Sequence, residues 1–331
     1  MEFGKVKETV LKRSILKKIG HRRNEVIVGP GIGMDCAAVQ LGEDEVAVLS
    51  TDPITTARKH IGVLAVHTTI NDLAASGAEP VGILVSILLP ERARESKLKE
   101  IMDDMERTCK LFHVEIIGGH TEVSRAVNQP LLTVTGIGKC KKEEMTHSKN
   151  LRPGQDLVMT KWAGLEATAI LSIEKEEELH TRYSMEFLEG AQKMMEQLSV
   201  LEEAKIAKQF GASAMHDITE GGIFGALWEM AAASNVGVEV ELKQIPMKQE
   251  TIEVSEFFDL NPYQMLSGGS LLIGCDDGKS LVEELAKAGI PAKVIGKVTN
   301  SNDKVVCHEE ERRFIEPVRM DEVYKVLSLT K

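Results

Sequence analysis

The chain has 331 residues, with 40 Lys and Arg against 51 Asp and Glu, a formal net charge of −11. An acid excess of that size excludes a basic footprint for nucleic acid or an anionic membrane, so a phosphate-bearing ligand would need a cation or backbone dipoles. The length suits two domains with full cores.

Residues 1–20 mix Lys, Arg and Glu with isolated apolar residues and carry no secretory pattern. The five cysteines, Cys36, Cys109, Cys140, Cys275 and Cys307, are widely spaced without a C-x-x-C pair, which predicts buried thiols in a reducing cytoplasm. The strongly apolar run 81–89 is closed by Pro90 and is too short to cross a bilayer, so it predicts a buried strand.

In chain order, residues 10–19 predict a short amphipathic helix stopped by Gly20, with Lys5 ahead of it. A strand from Val26 then enters a turn with Gly29, Gly31 and Gly33, which delivers Asp35 to the next apolar run. Glycines at those places let backbone amides approach a ligand closely. The stretch matches no standard nucleotide fingerprint: Met34 occupies the third glycine position of G-x-G-x-x-G, and no G-x-x-x-x-G-K-[ST] occurs. Residues 45–50 form a second strand, with Thr51-Asp52-Pro53 past its end.

Next, Ile61, Val63, Val66, Ile70, Leu73 and Ala74 recur at helical spacing, and Gly77 is placed to end the helix in the left-handed conformation. Asp72 projects from nearly the opposite face. It lies in the last turn, where unpaired carbonyls disfavour a carboxylate unless a positive group compensates. Alone it reads as a solvated polar-face residue. Residues 96–112 predict a second amphipathic helix. A strand over 114–117 then empties into Gly118-Gly119-His120-Thr121-Glu122, and 131–137 is a further strand.

One device thus recurs: an apolar element ends and a glycine or proline turn presents Asp35, Asp52, Asp72 or the His120/Glu122 pair. Converged in one cleft, oxygen ligands of this kind suit magnesium shared with phosphates. Scattered, they are ordinary turns.

The composition turns polar over 150–154, which places a domain boundary between 1–150 and 151–331. The second half predicts a strand at 156–160, a helix begun by the capping box Ser199-Val200-Leu201-Glu202, and strands at 236–242, 271–274, 292–298 and 304–307. Between them stands His216-Asp217-Ile218-Thr219-Glu220-Gly221-Gly222 before an apolar helix. Thr219 or Glu220 serves there as a helix cap, or the glycine amides bind an anion while His216 and Asp217 handle metal or protons.

Read together, these motifs resemble the AIR-synthase-like superfamily of aminoimidazole ribonucleotide synthetase, thiamine-monophosphate kinase, selenophosphate synthetase and HypE. Gly31-Ile-Gly-Met-Asp35-Cys-Ala-Ala is similar to G-I-G-D-D-A-A, Ser50-Thr-Asp52 to S-T-D, and Asn71-Asp72-Leu-Ala-Ala-Ser-Gly-Ala-Glu-Pro80 to N-D-L-A-A-M-G-A-x-P. Gly118-Gly-His-Thr121 resembles G-G-D-T, and Asp217-Ile-Thr-Glu-Gly-Gly222 resembles D-x-T-x-G-G.

The resemblance implies an α/β (α+β) two-domain fold, dimerisation through a β-barrel shared by N-terminal domains, and an α/β C-terminal domain. It implies ATP with magnesium on Asp35, Asp52 and Asp72, with Gly31, Gly33, Asn71, Gly118, Gly119, Thr121, Gly221 and Gly222 as nucleotide contacts. His120, His216 and Asp217 would be catalytic toward a small-molecule or protein-bound acceptor, with a maturation partner protein. Met34 and His120 stand where the pattern has acids, and the ending Leu-Ser-Leu-Thr-Lys331 lacks the terminal cysteine tail of HypE. The expectation is an ATP-dependent enzyme of the HypE branch. A small-molecule kinase and a non-catalytic nucleotide-binding scaffold are the alternatives.

Overall fold

The computed structural model describes residues 9, 12, 24, 26–28, 31, 32, 34 and 36–327. The expected helix at 10–19 (apart from Lys12), Lys5, Gly29, Gly33 and Asp35 therefore lie outside the described residues.

Two sheets organise the molecule. The first has the order β1-β2-β3-β6-β4-β5, with β1 Val26–Val28, β2 Cys36–Gln40, β3 Glu45–Ile54, β4 Glu79–Leu89, β5 Glu115–Val123 and β6 Leu131–Lys141. All neighbours are antiparallel except β4 and β5. The second has the order β13-β12-β9-β11-β7-β10-β8, with β7 Asp156–Thr160, β8 Ala214–Asp217, β9 Gly237–Glu241, β10 Leu271–Cys275, β11 Ala292–Thr299, β12 Lys304–His308 and β13 Glu311–Phe314.

Helix α1, Ile61–Ala75, is the centrepiece. Every residue on it except Val63 and Thr68 is buried, including Asp72. Such a helix is stable only when covered all round. The inner face of the first sheet covers one side, α2 (Glu95–Leu111) a second, and elements of the second half, β8 among them, a third. The expected solvated face of Asp72 does not exist, because that face is where the second half docks. Gly77 does end the helix region with φ +74°.

The second half contributes α3 Leu165–Glu174, α4 Met185–Gln192, α5 Leu201–Phe210, α6 Gly222–Ser234, α7 Gln249–Phe257 and α8 Gly278–Lys287. One continuous core joins Ile61, Leu64 and Ile70 to Leu165, Leu198 and Met265, so the halves share their apolar interior. The capping box is displaced: Val200 precedes α5, and Ser199 Oγ accepts from Leu201 N at 3.3 Å.

Two strands run further than their glycines and proline predicted. β3 continues through Asp52-Pro53 to Ile54. There it stays paired with β6, Asp52 opposite Val134 and Pro53 opposite Thr133. β5 passes straight through Gly118-Gly119, beside a register shift opposite Ile83 and Leu84. A Cβ on Gly119 would lie 2.0 Å from Val85 O, so this glycine permits close strand pairing rather than a turn.

Candidate active site

Alternation along β3 turns Val46, Val48 and Ser50 inward, and Asp52 follows them on the same face. The last turn of α1 packs over that face and brings Asp72, 4% exposed, to the same place. Ser50 Oγ lies 3.1 Å from Asp52 Oδ2 and makes a very short contact with Asp72 Oδ2. One hydroxyl proton thus stands between two carboxylates, which accept but do not donate when ionised. The C-terminal end of α1 adds partial negative charge there. The arrangement calls for a cation.

Asp72 also borders a cavity of ≈ 20 Å³ between the halves. Met34, Cys36 and Ser76 line it from the first half, with Met215, His216 and Asp217 opposite. His216 and Asp217 are 2% and 1% exposed on β8, the edge strand of the second sheet. His216 Nε2 is 3.2 Å from Glu229 Oε2 on α6, and its Nδ1 is 3.9 Å from Asp217 Oδ1. Glu229 therefore holds the ring from α6, while Asp217 stands on its other side beyond hydrogen-bond distance. His147 borders the same cavity, its basicity lowered by burial and then by Lys149.

Asp52, Asp72, His216 and Asp217 are thus gathered at the junction of the halves. Several of the other expected residues among those described stand elsewhere or are otherwise engaged. His120, Thr121, Gly118 and Glu122 lie on the exposed edge strand β5, with His120 Nε2 3.2 Å from Glu122 Oε2. In register, Gly119 is opposite Val85, Val85 opposite Val134, and Val134 opposite Asp52, so His120 is three strands from the carboxylate pair. That is about 14 Å at ordinary strand spacing.

Asn71 faces the other half: Nδ2 donates to Leu198 O at 2.7 Å, and Oδ1 accepts from Val200 N at 3.0 Å. The glycine amides before α6 are also engaged. Gly221 N donates to Asp321 Oδ2 at 2.8 Å and Gly222 N to Thr219 O at 3.0 Å. An internal carboxylate holds the position expected for a bound anion, and neither Thr219 nor Glu220 caps α6 by its side chain. Gly31 is half-buried, close to Met34 Cγ. Among the described residues, no three His, Cys, Asp or Glu side chains stand close enough to hold a metal together.

A group of buried acids went unanticipated. Glu166, on α3, accepts from Gly268 N at 3.1 Å. Burial, and then the Asp321 carboxylate, raise its pKa to about 8. Burial likewise raises Asp321 to about 7, against hydrogen bonds from the backbone of Val323, Gly221 and Leu266. Tyr324 joins the group through a very short hydrogen bond to Glu220 Oε1 and reaches Thr55 Oγ1 at 3.3 Å. The available signal was a single acid inside the apolar run Leu165-Glu-Ala-Thr-Ala-Ile-Leu171, facing a Ser-Gly-Gly-Ser loop.

A hydrogenase expression/formation protein of Methanocaldococcus jannaschii is 29% identical over 316 residues, 92% of this chain and 90% of that protein. The carbamoyl dehydratase HypE of Cupriavidus necator is 27% identical over 291 residues, 86% and 79% of the two chains. A crystal structure of the hydrogenase maturation protein HypE in complex with ATP superposes with a TM-score of 0.72 at 19% identity, covering 95% of each chain. Residues 33–140 match the AIR synthase related protein N-terminal domain and residues 152–308 its C-terminal domain, and the chain belongs to the AIR synthase related family.

Proposed function

We propose that this chain is an ATP-dependent enzyme of the HypE branch, which uses ATP with magnesium to activate an oxygen of a small or protein-bound acceptor in metallocofactor maturation. The observation that carries this reading is the Asp52/Ser50/Asp72 bridge opening toward His216 and Asp217. Its donors are hard oxygens, and two carboxylates are what magnesium takes from a protein when phosphates and water complete its shell. The donor set therefore fits the metal, and a chain of net charge −11 needs it to bind a polyphosphate.

When bound, ATP with magnesium supplies a transferable phosphoryl group with its charge neutralised. Asp52 and Asp72 would hold the metal, joined by Asp35, with Gly31 and Gly33 beside it. Asp217 faces the acceptor and moves a proton to or from its oxygen. His216, held by Glu229, stands beside Asp217 and would contact the acceptor.

His120 and Thr121 would enter the site across a homodimer. The outer face of the first sheet supports that reading: Leu84 is 40% and Ile117 47% exposed, and no described helix covers it. The partner that receives or supplies the acceptor group is a maturation protein, and the cytoplasm is the compartment this chemistry requires.

The test is titration calorimetry of ATP with and without magnesium on the wild-type chain and on Asp52→Asn and Asp72→Asn. The expected result is magnesium-dependent binding weakened at least tenfold in each variant, with the fold retained. Undiminished affinity in either would overturn the site. Binding without turnover in the presence of acceptors would favour a nucleotide-binding scaffold, the reading suggested by Asp321 on Gly221 N.

A further inference from the structure

Asp217 also borders a second cavity, of ≈ 10 Å³. His67, Asn71, Glu166, Asp217, Thr219 and Gly268 line it. Asp217 therefore forms a wall common to both spaces. The second has room for about one water, and Asn71, Glu166, Asp217 and Thr219 offer the two to four polar partners such a water needs.

Two features bear on the polar groups at this space. A Cβ on Gly268 would lie 2.2 Å from Glu166 Oε2, so the glycine clears a seat for that carboxyl. His67, edge-on to Phe112 at 5.2 Å, is buried with Nδ1 lacking any protein partner. Burial, and then Lys161, lower its pKa to about 3, so the ring is neutral. Lys161 itself is tied to Glu203 at 2.7 Å and to Gln197 O at 2.9 Å. The charged or titratable groups acting on Glu166 are Asp217 from β8, Glu220 from the loop after it and Asp321 from the C-terminal segment, all acidic, with neutral His67 across the cavity.

We propose that Glu166 is the proton reserve of the active site, connected to Asp217 through one water in the cavity they share. The step balances without any other reactant. The Glu166 O–H bond breaks as its proton passes to the water, and a proton of that water forms the O–H bond of Asp217. Glu166 is left as a carboxylate, which Gly268 N–H stabilises until solvent reprotonates it. Asp217 is thereby restored after giving its proton to an oxygen in the cleft. This deepens the ATP-dependent reading and rests on it for the reaction served.

The experiment is infrared titration of the full chain, followed through the C=O stretch of a protonated carboxyl, together with ATP affinity and turnover. The expected band persists at neutral pH, disappears on the alkaline side, is absent in Glu166→Gln and moves in Asp217→Asn. Glu166→Gln should keep its ATP affinity, lose roughly 10²-fold in turnover and lose one limb of the pH profile. A band that survives Glu166→Gln, or ignores Asp217→Asn, overturns the proposal, as does unchanged turnover with an unchanged profile. If the wild-type chain binds no ATP, the parent reading falls, and the band and its response to residue 217 still decide whether the connected proton reserve exists.

Discussion

At the scale of single residues, the site combines two kinds of acid. Asp52 and Asp72 are joined by a hydroxyl at a junction that asks for a cation, whereas Glu166 and Asp321 are buried where a proton is the cheaper neutraliser. The first pair was legible from the strand-end Ser-Thr-Asp and the Asn-Asp of α1. Glu166 was not, because the clearance that makes room for it belongs to a glycine about a hundred residues away. Its raised pKa has a consequence for stability. The folded chain holds the proton to about pH 8, while an unfolded Glu releases it near 4.5. Glu166 therefore favours folding fully below about pH 4.5, and that contribution is lost as pH rises toward 8. Glu166→Gln should raise the melting temperature relative to wild type at pH 8 and leave the difference small at pH 5, measured by calorimetry at both. A difference independent of pH would contradict the assignment.

At the scale of elements, α1 was legible as a helix but not as a buried one. Its apolar spacing and Gly77 define the span, yet the covering of its polar side comes from residues more than a hundred positions later. β5 shows the opposite failure, since Gly118-Gly119 resembles a turn in sequence and is straight in structure, held by pairing to β4. α4 and α7 escaped notice for want of a strong apolar stripe; Ser184 caps α4 by accepting from Phe187 N at 3.3 Å. The β5 geometry predicts that Gly119→Ala, with its Cβ 2.0 Å from Val85 O, costs roughly 1–3 kcal/mol in denaturant unfolding. Gly154→Ala, with nothing within 4 Å but φ +93°, is the control for backbone strain alone. Equal losses would show that β4–β5 contact is not what Gly119 serves.

At the scale of the whole molecule, the first sheet has an inner face filled by α1 and an outer face that no described helix covers. Outward residues such as Leu84 and Ile117 are exposed apolar surface, and Thr51 meets Thr135 at 2.8 Å on the same side. A second copy is the proposed cover. Leu84→Lys should shift the chain from dimer to monomer in light scattering at micromolar concentration. It should also weaken ATP binding if His120 and Thr121 act across the dimer. A monomeric wild type would remove both expectations. The two sheets were legible from the succession of apolar strands, whereas the shared core of the halves was not, because helix-to-helix contacts leave no local periodicity.

The two bonds from Asn71 to the backbone at Leu198 and Val200 carry a mechanical meaning. Its neighbour Asp72 is one of the carboxylates proposed to hold the metal, so the fastening between halves and the proposed ligand seat are adjacent positions on one helix. Any force that parts the halves is felt first at residue 71, and any ligand that steadies residue 72 resists that parting. Occupancy and closure are then a single degree of freedom, and the chain should come apart in one cooperative event rather than half by half.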